Sequence, residues 1–275
     1  ITGIDPQIDE IVIGNKVGSF FTQITLILGI LGLSQRLFVS KWELRREGIM
    51  LFVSVIIFFF CALDGLLTRF EGLLMVLIYF AYLGFIIWSE KKIEKKQAEI
   101  KEFLAKRNGI ELKKEVMAEE AELPSIGKSV VIFVIGLAIL LFSAELTILG
   151  AHQISLAFNI PQNVVGILIV GFGTSLPELI ADLMALKRKS DGIAIGDILG
   201  SNICDILLAT GSGSLIATFK VPLVLLYFDI PMLLVALGLA VYFLNSDNTL
   251  ESWEATLLLS FYGFYAVMKI MFFAQ

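Results

Sequence analysis

The chain lacks most of what a hydrolase, a zinc centre or a disulfide scaffold needs. It holds one histidine and two cysteines in 275 residues. A single imidazole, His152, excludes a multi-histidine metal cluster, and no Ser–His pairing is apparent. His152 reads as an interfacial residue, not as a proton relay. Cys61 and Cys204 both fall inside apolar blocks, which argues against a disulfide framework and leaves Cys204 as small packing bulk. Charge is scarce as well: 17% of residues are charged, against about a quarter in soluble domains. Residues 1–10 are polar, begin with Ile and lack a basic n-region, so no signal peptide is read there.

What the chain has is apolar length. The hydrophobic fraction is 57%, and it comes in uninterrupted blocks of roughly 20 residues, the length a helix needs to cross a bilayer. The blocks predict eight spans at about 16–38, 49–67, 70–89, 128–150, 162–186, 193–217, 221–244 and 254–273. They are solidly apolar and do not alternate, which excludes a barrel. The expected class is an all-α polytopic membrane protein.

Basic residues orient the spans. Lys41, Arg45 and Arg46 follow the first; Lys91, Lys92, Lys95, Lys96, Lys101, Lys106 and Arg107 follow the third; Lys187, Arg188 and Lys189 follow the fifth. All three clusters fall on one face, which the positive-inside rule makes cytoplasmic. The segment 90–125 reads as a solvated cytoplasmic linker, although Ile93, Ile100, Phe103 and Leu104 share a helical face. It divides an N-terminal part, 1–89, from a C-terminal half, 126–275.

A repeat is the most informative feature. The stretch 13–24 aligns without gaps to 195–206, each residue being followed by its match 182 positions later. Ile13, Gly14, Gly18, Ser19 and Ile24 equal Ile195, Gly196, Gly200, Ser201 and Ile206; Leu26 and Gly29 equal Leu208 and Gly211. Small residues in register are what close helix packing requires. The copies open the first and sixth predicted spans, so they run in opposite directions. Inverted repeats of this kind build many secondary transporters, with the substrate near the midplane between them.

Two acids lie inside consecutive spans. Glu178 has Thr174 four residues before it, and Asp205 has Ser201 four residues before it, so each hydroxyl shares a helix face with a carboxylate. An ionised carboxylate at membrane depth costs at least about 2.5 kcal/mol, so such a pair asks for a cation. Pro177 cannot donate to residue 173 and loosens that turn, with Gly171 and Gly173 beside it, so a freed Gly173 carbonyl is expected. Carboxylates, hydroxyls and carbonyls make an all-oxygen set suited to Ca²⁺ or Na⁺. Glu178, Asp205 and Thr174 are the expected metal ligands. Asp197, Glu145 and Asp64 stay open between ion handling and ordinary pairing or snorkelling.

These residues carry a resemblance. Gly-Phe-Gly-Thr-Ser-Leu-Pro-Glu at 171–178, followed by Gly-Asp-Ile-Leu-Gly-Ser-Asn-Ile-Cys-Asp at 196–205, resembles the second alpha-repeat of the calcium/cation antiporter superfamily, most closely its prokaryotic sodium/calcium exchangers. The resemblance implies ten kinked helices enclosing the ion sites between two alpha-repeats. It implies Thr174, Ser175, Glu178, Ser201 and Asp205 as ligands from the second repeat, with Ser19 and Gln23 at the corresponding places in the first. Gln23 departs from the Asn or Asp of that family and reaches one methylene farther. The offset puts the partner of Glu178 about four residues before Ile1, so the chain is expected to be part of a longer one that supplies two more spans.

The expected function is exchange of Ca²⁺ for Na⁺ by alternating access across the cell membrane. Bound ions are substrates, not cofactors. The expected partners are Ca²⁺, monovalent cations and the bilayer, and no nucleic acid. A proton-coupled calcium antiporter and a passive cation channel are the rival readings. An intramembrane acid-dependent hydrolase is a third, disfavoured by the lone histidine.

Overall fold

The computed structural model describes residues 6–108, 126–188, 190–246 and 249–273. Part of the expected linker, 109–125, lies outside them. The chain forms two compact units: one takes in residues up to Tyr79 together with those from Leu146 onward, the other is Phe80–Glu145. All the candidate site residues fall in the first.

The order of elements is helical throughout, with short extended links. It runs α1 (Pro6–Phe21), a π-helical turn (Thr22–Ile27), α2 (Leu28–Ser34), β1 (Leu37–Phe38), α3 (Lys41–Cys61), β2 (Leu66–Leu67), α4 (Arg69–Asn108) and α5 (Ile126–Phe158). The broken helix α6 (Gln162–Val165), π-turn (Gly166–Val170), α7 (Gly171–Thr174) and α8 (Leu176–Lys187) follows. Next come α9 (Asp191–Ile203), a π-turn (Cys204–Ala209), α10 (Thr210–Ile216) and β3 (Phe219–Lys220). The chain ends on a π-turn (Leu225–Asp229), α11 (Ile230–Asn245), β4 (Thr249–Leu250) and α12 (Ser252–Phe273).

Six stretches among the described residues are long and apolar enough to cross a membrane: Asp9–Ser34, Arg69–Ser89, Gln162–Lys187, Asp191–Ile216, Leu225–Asn245 and Ser252–Phe273. The chain is a multi-pass integral membrane protein. The two remaining predicted spans fall on α3 and α5. Helix α3 starts well before position 49, at Lys41, and stops at Cys61, short of position 67. A turn ends it: Gly65 takes a positive φ of 79° and Asp64 accepts the Leu66 N–H at 3.0 Å. Asp64 is thus a turn-forming acid outside the helix.

The repeat extends beyond the aligned stretch, through the elements from α1 to α4 and from α9 to α12. The π-turns Thr22–Ile27 and Cys204–Ala209 match at the offset of 182, as do α2 with α10 and β1 with β3. Strand pairing exchanges the copies: β1 pairs antiparallel with β4 (Leu37 opposite Leu250), and β2 with β3 (Leu67 opposite Phe219). Carboxylates do the same. Asp9 Oδ2 accepts the Lys220 N–H at 3.2 Å, and its repeat-mate Asp191 Oδ2 accepts the Phe38 N–H at 3.2 Å. The helices that follow are capped alike: Glu71 accepts the Thr68 N–H at 2.7 Å, and Glu254 accepts the Glu251 N–H at 2.9 Å. A contact set that survives swapping the copies is the mark of a two-fold relation, here inside one chain.

Candidate cation site

Small residues bring the first repeat against the broken helix of the second. A Cβ on Gly18 would lie 2.3 Å from the Ile167 carbonyl oxygen, and one on Gly171 would lie 2.7 Å from the Gly18 backbone. One on Gly166 would lie 2.6 Å from the Ile11 carbonyl oxygen. Backbones approach this closely only where side chains are absent. The crossing sets α1 beside the break between α7 and α8, where Ser175 has φ −90° and ψ −3°. Pro177 lies in the first turn of α8 and offers no N–H. The capping N–H groups there turn to the carbonyls of Phe172 and Gly173, so the Gly173 carbonyl, expected to be free, has a local donor.

The hydroxyls and amides form one directed chain of hydrogen bonds. Asn202 Nδ2 and the Ser201 hydroxyl donate to Gln23 Oε1, at 2.8 and 3.0 Å. Gln23 Nε2 donates to Ser19 Oγ at 3.4 Å, and Ser19 Oγ lies 2.9 Å from Ser175 Oγ, which donates to the Gly171 carbonyl at 2.8 Å. The structure therefore joins Ser19, Gln23, Ser175 and Ser201 across the two repeats. Gln23 spans the gap because its extra methylene puts both ends of the amide in reach. Thr174 stands a little apart, its hydroxyl 2.9 Å from Asn15 Oδ1 and 3.0 Å from the Val170 carbonyl.

The acids are treated differently. Glu178 Oε2 is buried and has no hydrogen-bond partner. Asp205 Oδ1 is 2.7 Å from the Lys16 ammonium, which reaches it from α1. Asp205 sits in the π-turn that matches the one holding Gln23, a helix distortion common at functional sites. Among the described residues no three His, Cys, Asp or Glu side chains gather to hold a metal ion. The candidate set thus has two acids, and hydroxyls and amides would supply the rest of a hard-cation shell.

Sequence reasoning missed Asn15, Lys16 and Asn202. A lysine inside an apolar span was the available signal, since such a charge wants a partner. Of the other acids considered, Asp197 is exposed on α9 and Glu145 on α5. His152 Nδ1 lies 3.0 Å from the Gln162 side-chain nitrogen, within the first unit.

The comparisons agree with this architecture. A family model for the sodium/calcium exchanger protein matches residues 6–88 and 128–271. A membrane protein of Methanocaldococcus jannaschii is 32% identical over 250 residues, covering 91% of this chain and 74% of its own length. A sodium/calcium exchanger of Methanosarcina acetivorans is 27% identical, covering 95% of this chain and 81% of its own. Among solved structures, the sodium-calcium exchanger NCX_Mj soaked with 100 mM Na⁺ and 10 mM Sr²⁺ superposes with a TM-score of 0.62 at 28% identity. That match covers 97% of this chain and 78% of the other. A shared family model over most of the chain, a matching fold and the inverted repeat together place the chain in the sodium/calcium exchanger protein family, as a cation-exchanging membrane transporter and not an enzyme.

Proposed function

We propose that the protein exchanges Ca²⁺ for Na⁺ by alternating access, through the ligands Thr174, Ser175, Glu178, Ser201, Asp205, Ser19, Gln23 and the Gly173 carbonyl. The observation that carries this reading is Glu178 Oε2, a buried carboxylate oxygen without a hydrogen-bond partner at a helix break in a membrane span. An orphaned acid at that depth is costly unless a cation joins it. The relatives named as sodium/calcium exchangers support Ca²⁺ and Na⁺ as the ions.

Ca²⁺ binds against Glu178, with Thr174 and neighbouring carbonyls completing the shell. Na⁺ takes overlapping oxygens of Glu178 and of the linked Ser19, Gln23 and Ser201 side chains. Competition for shared carboxylates makes the movement an exchange instead of a leak. Tilting of the two repeats about their common crossing then opens the site to either face. The chain sits in the cell membrane with segment 90–125 on the cytoplasmic side, the side to which the Lys and Arg clusters point.

Vesicles carrying the protein test this directly. Ca²⁺ uptake is measured with an outward Na⁺ gradient, then with a pH gradient alone. Uptake that follows the Na⁺ gradient and vanishes in Glu178→Gln is the expected result. Uptake driven by the pH gradient alone assigns proton coupling instead, and current without counter-ion assigns a channel.

A further inference from the structure

Two lysine–aspartate pairs lie within spans, and their surroundings differ. Lys269 Nζ is 2.6 Å from Asp229 Oδ2, both side chains are fully buried, and the Tyr265 hydroxyl donates to the same carboxylate at 2.7 Å. That pair is sealed. Lys16 and Asp205 meet at 2.7 Å with about a quarter of each side chain exposed, at 25% and 27%. The second pair is therefore part-buried, whereas the first is enclosed on every side.

The pair also sits in a telling position. Asp205 is one of the two acids of the candidate site, and its repeat-mate is the neutral Gln23. The residue matching Lys16 in the second copy is Ile198, so the ammonium is an addition peculiar to the first copy. A lysine ammonium is a compact point charge on a four-carbon stem with three donors, free to move on and off an oxygen ligand. It carries the charge of one Na⁺ and bonds the same carboxylate oxygen.

We propose that Lys16 is a tethered cation that replaces one mobile monovalent ion at Asp205. With ions absent it neutralises Asp205, which leaves Glu178 as the uncompensated acid that a cation must join before the carrier crosses. With Ca²⁺ bound at Glu178 it remains on Asp205 and limits the site to fewer Na⁺ than its oxygen set would otherwise take. The proposal rests on reading this site as that of an exchanger, and it adds a residue that sets the ion count.

The test is equilibrium binding of ²²Na⁺ to the purified full chain, which requires no transport. Lys16→Gln is expected to bind about one more Na⁺ per chain than wild type, since the freed carboxylate then needs an ion. Lys16→Arg should keep the wild-type count, and Lys16→Gln/Asp205→Asn should return to it. An equal count in Lys16→Gln and wild type, with the variant folded by its thermal melt, overturns the proposal and leaves the pair structural. If Lys16→Gln does not fold, the folded Lys16→Arg and Asp205→Asn chains decide: an Asp205→Asn count below wild type shows that mobile Na⁺ already holds Asp205, and overturns it. A count equal to wild type supports it. In vesicles under a tenfold Na⁺ gradient at zero voltage, one extra coupled Na⁺ raises the limiting Ca²⁺ gradient about tenfold. Absence of any Na⁺-driven Ca²⁺ movement in wild type counts against the exchange reading, while the binding counts still judge Lys16.

Discussion

The two copies of the repeat share a scaffold and differ in chemistry. Both have a helix interrupted by a π-turn, an extended dipeptide, a second helix, another dipeptide and a third helix. Gly14 and Gly18 are pressed against the backbone of 163–167, an approach that only small residues permit. The first copy carries Lys16 and Gln23 where the second carries Ile198 and Asp205. Backbone geometry is thus duplicated for stability, while side chains at matched positions have diverged to divide the work of holding charge.

Substitutions at matched positions measure how deep the difference goes. The largest effect on stability is expected at the sealed pair of the second copy. Lys269→Met strands Asp229 and should cost about 3–5 kcal/mol, seen as a lower melting temperature in detergent. Lys269→Met/Asp229→Leu should recover much of that loss, because apolar groups of similar volume replace a buried pair well. Next comes the tight helix crossing. Gly18→Ala places a methyl on the Ile167 carbonyl and should cost about 1–3 kcal/mol, read as a lower melting temperature in detergent. The smallest difference is expected between Asp9→Ala and Asp191→Ala. Each removes one carboxylate from a backbone N–H, worth about 1.5–3 kcal/mol, with Asp9 the costlier because it is buried and Asp191 is half-buried. Denaturant titration of the two variants checks the order.

The repeat and its break were legible because glycine and proline act through sterics at fixed positions. Gly14, Gly18 and Pro177 have one backbone meaning each, and sequence spacing reports it. The extended dipeptides were not legible. Leu37, Leu66 and Leu67 are apolar, so a hydropathy window drew spans straight through β1 and β2, and their pairing partners lie more than a hundred residues away. The π-turns carry no compositional mark either; they follow from where the widened turn is needed. Lys16 carries no mark in the repeat, which sets Ile198 opposite it. Gln23 was read correctly as a longer amide, but its role as the link between Ser19 and Ser201 needed coordinates.

The reciprocal strand pairs bear on how the protein is made. Leu37 and Phe38 cannot bond Leu250 and Thr249 until synthesis has passed those residues. Until then the backbone groups of that link lack their partner strand and bond water instead. Insertion of the first copy can precede its locking by the full length of the intervening sequence. Biogenesis therefore passes through a half-clasped intermediate, and quality control in the membrane has a defined backbone segment to inspect.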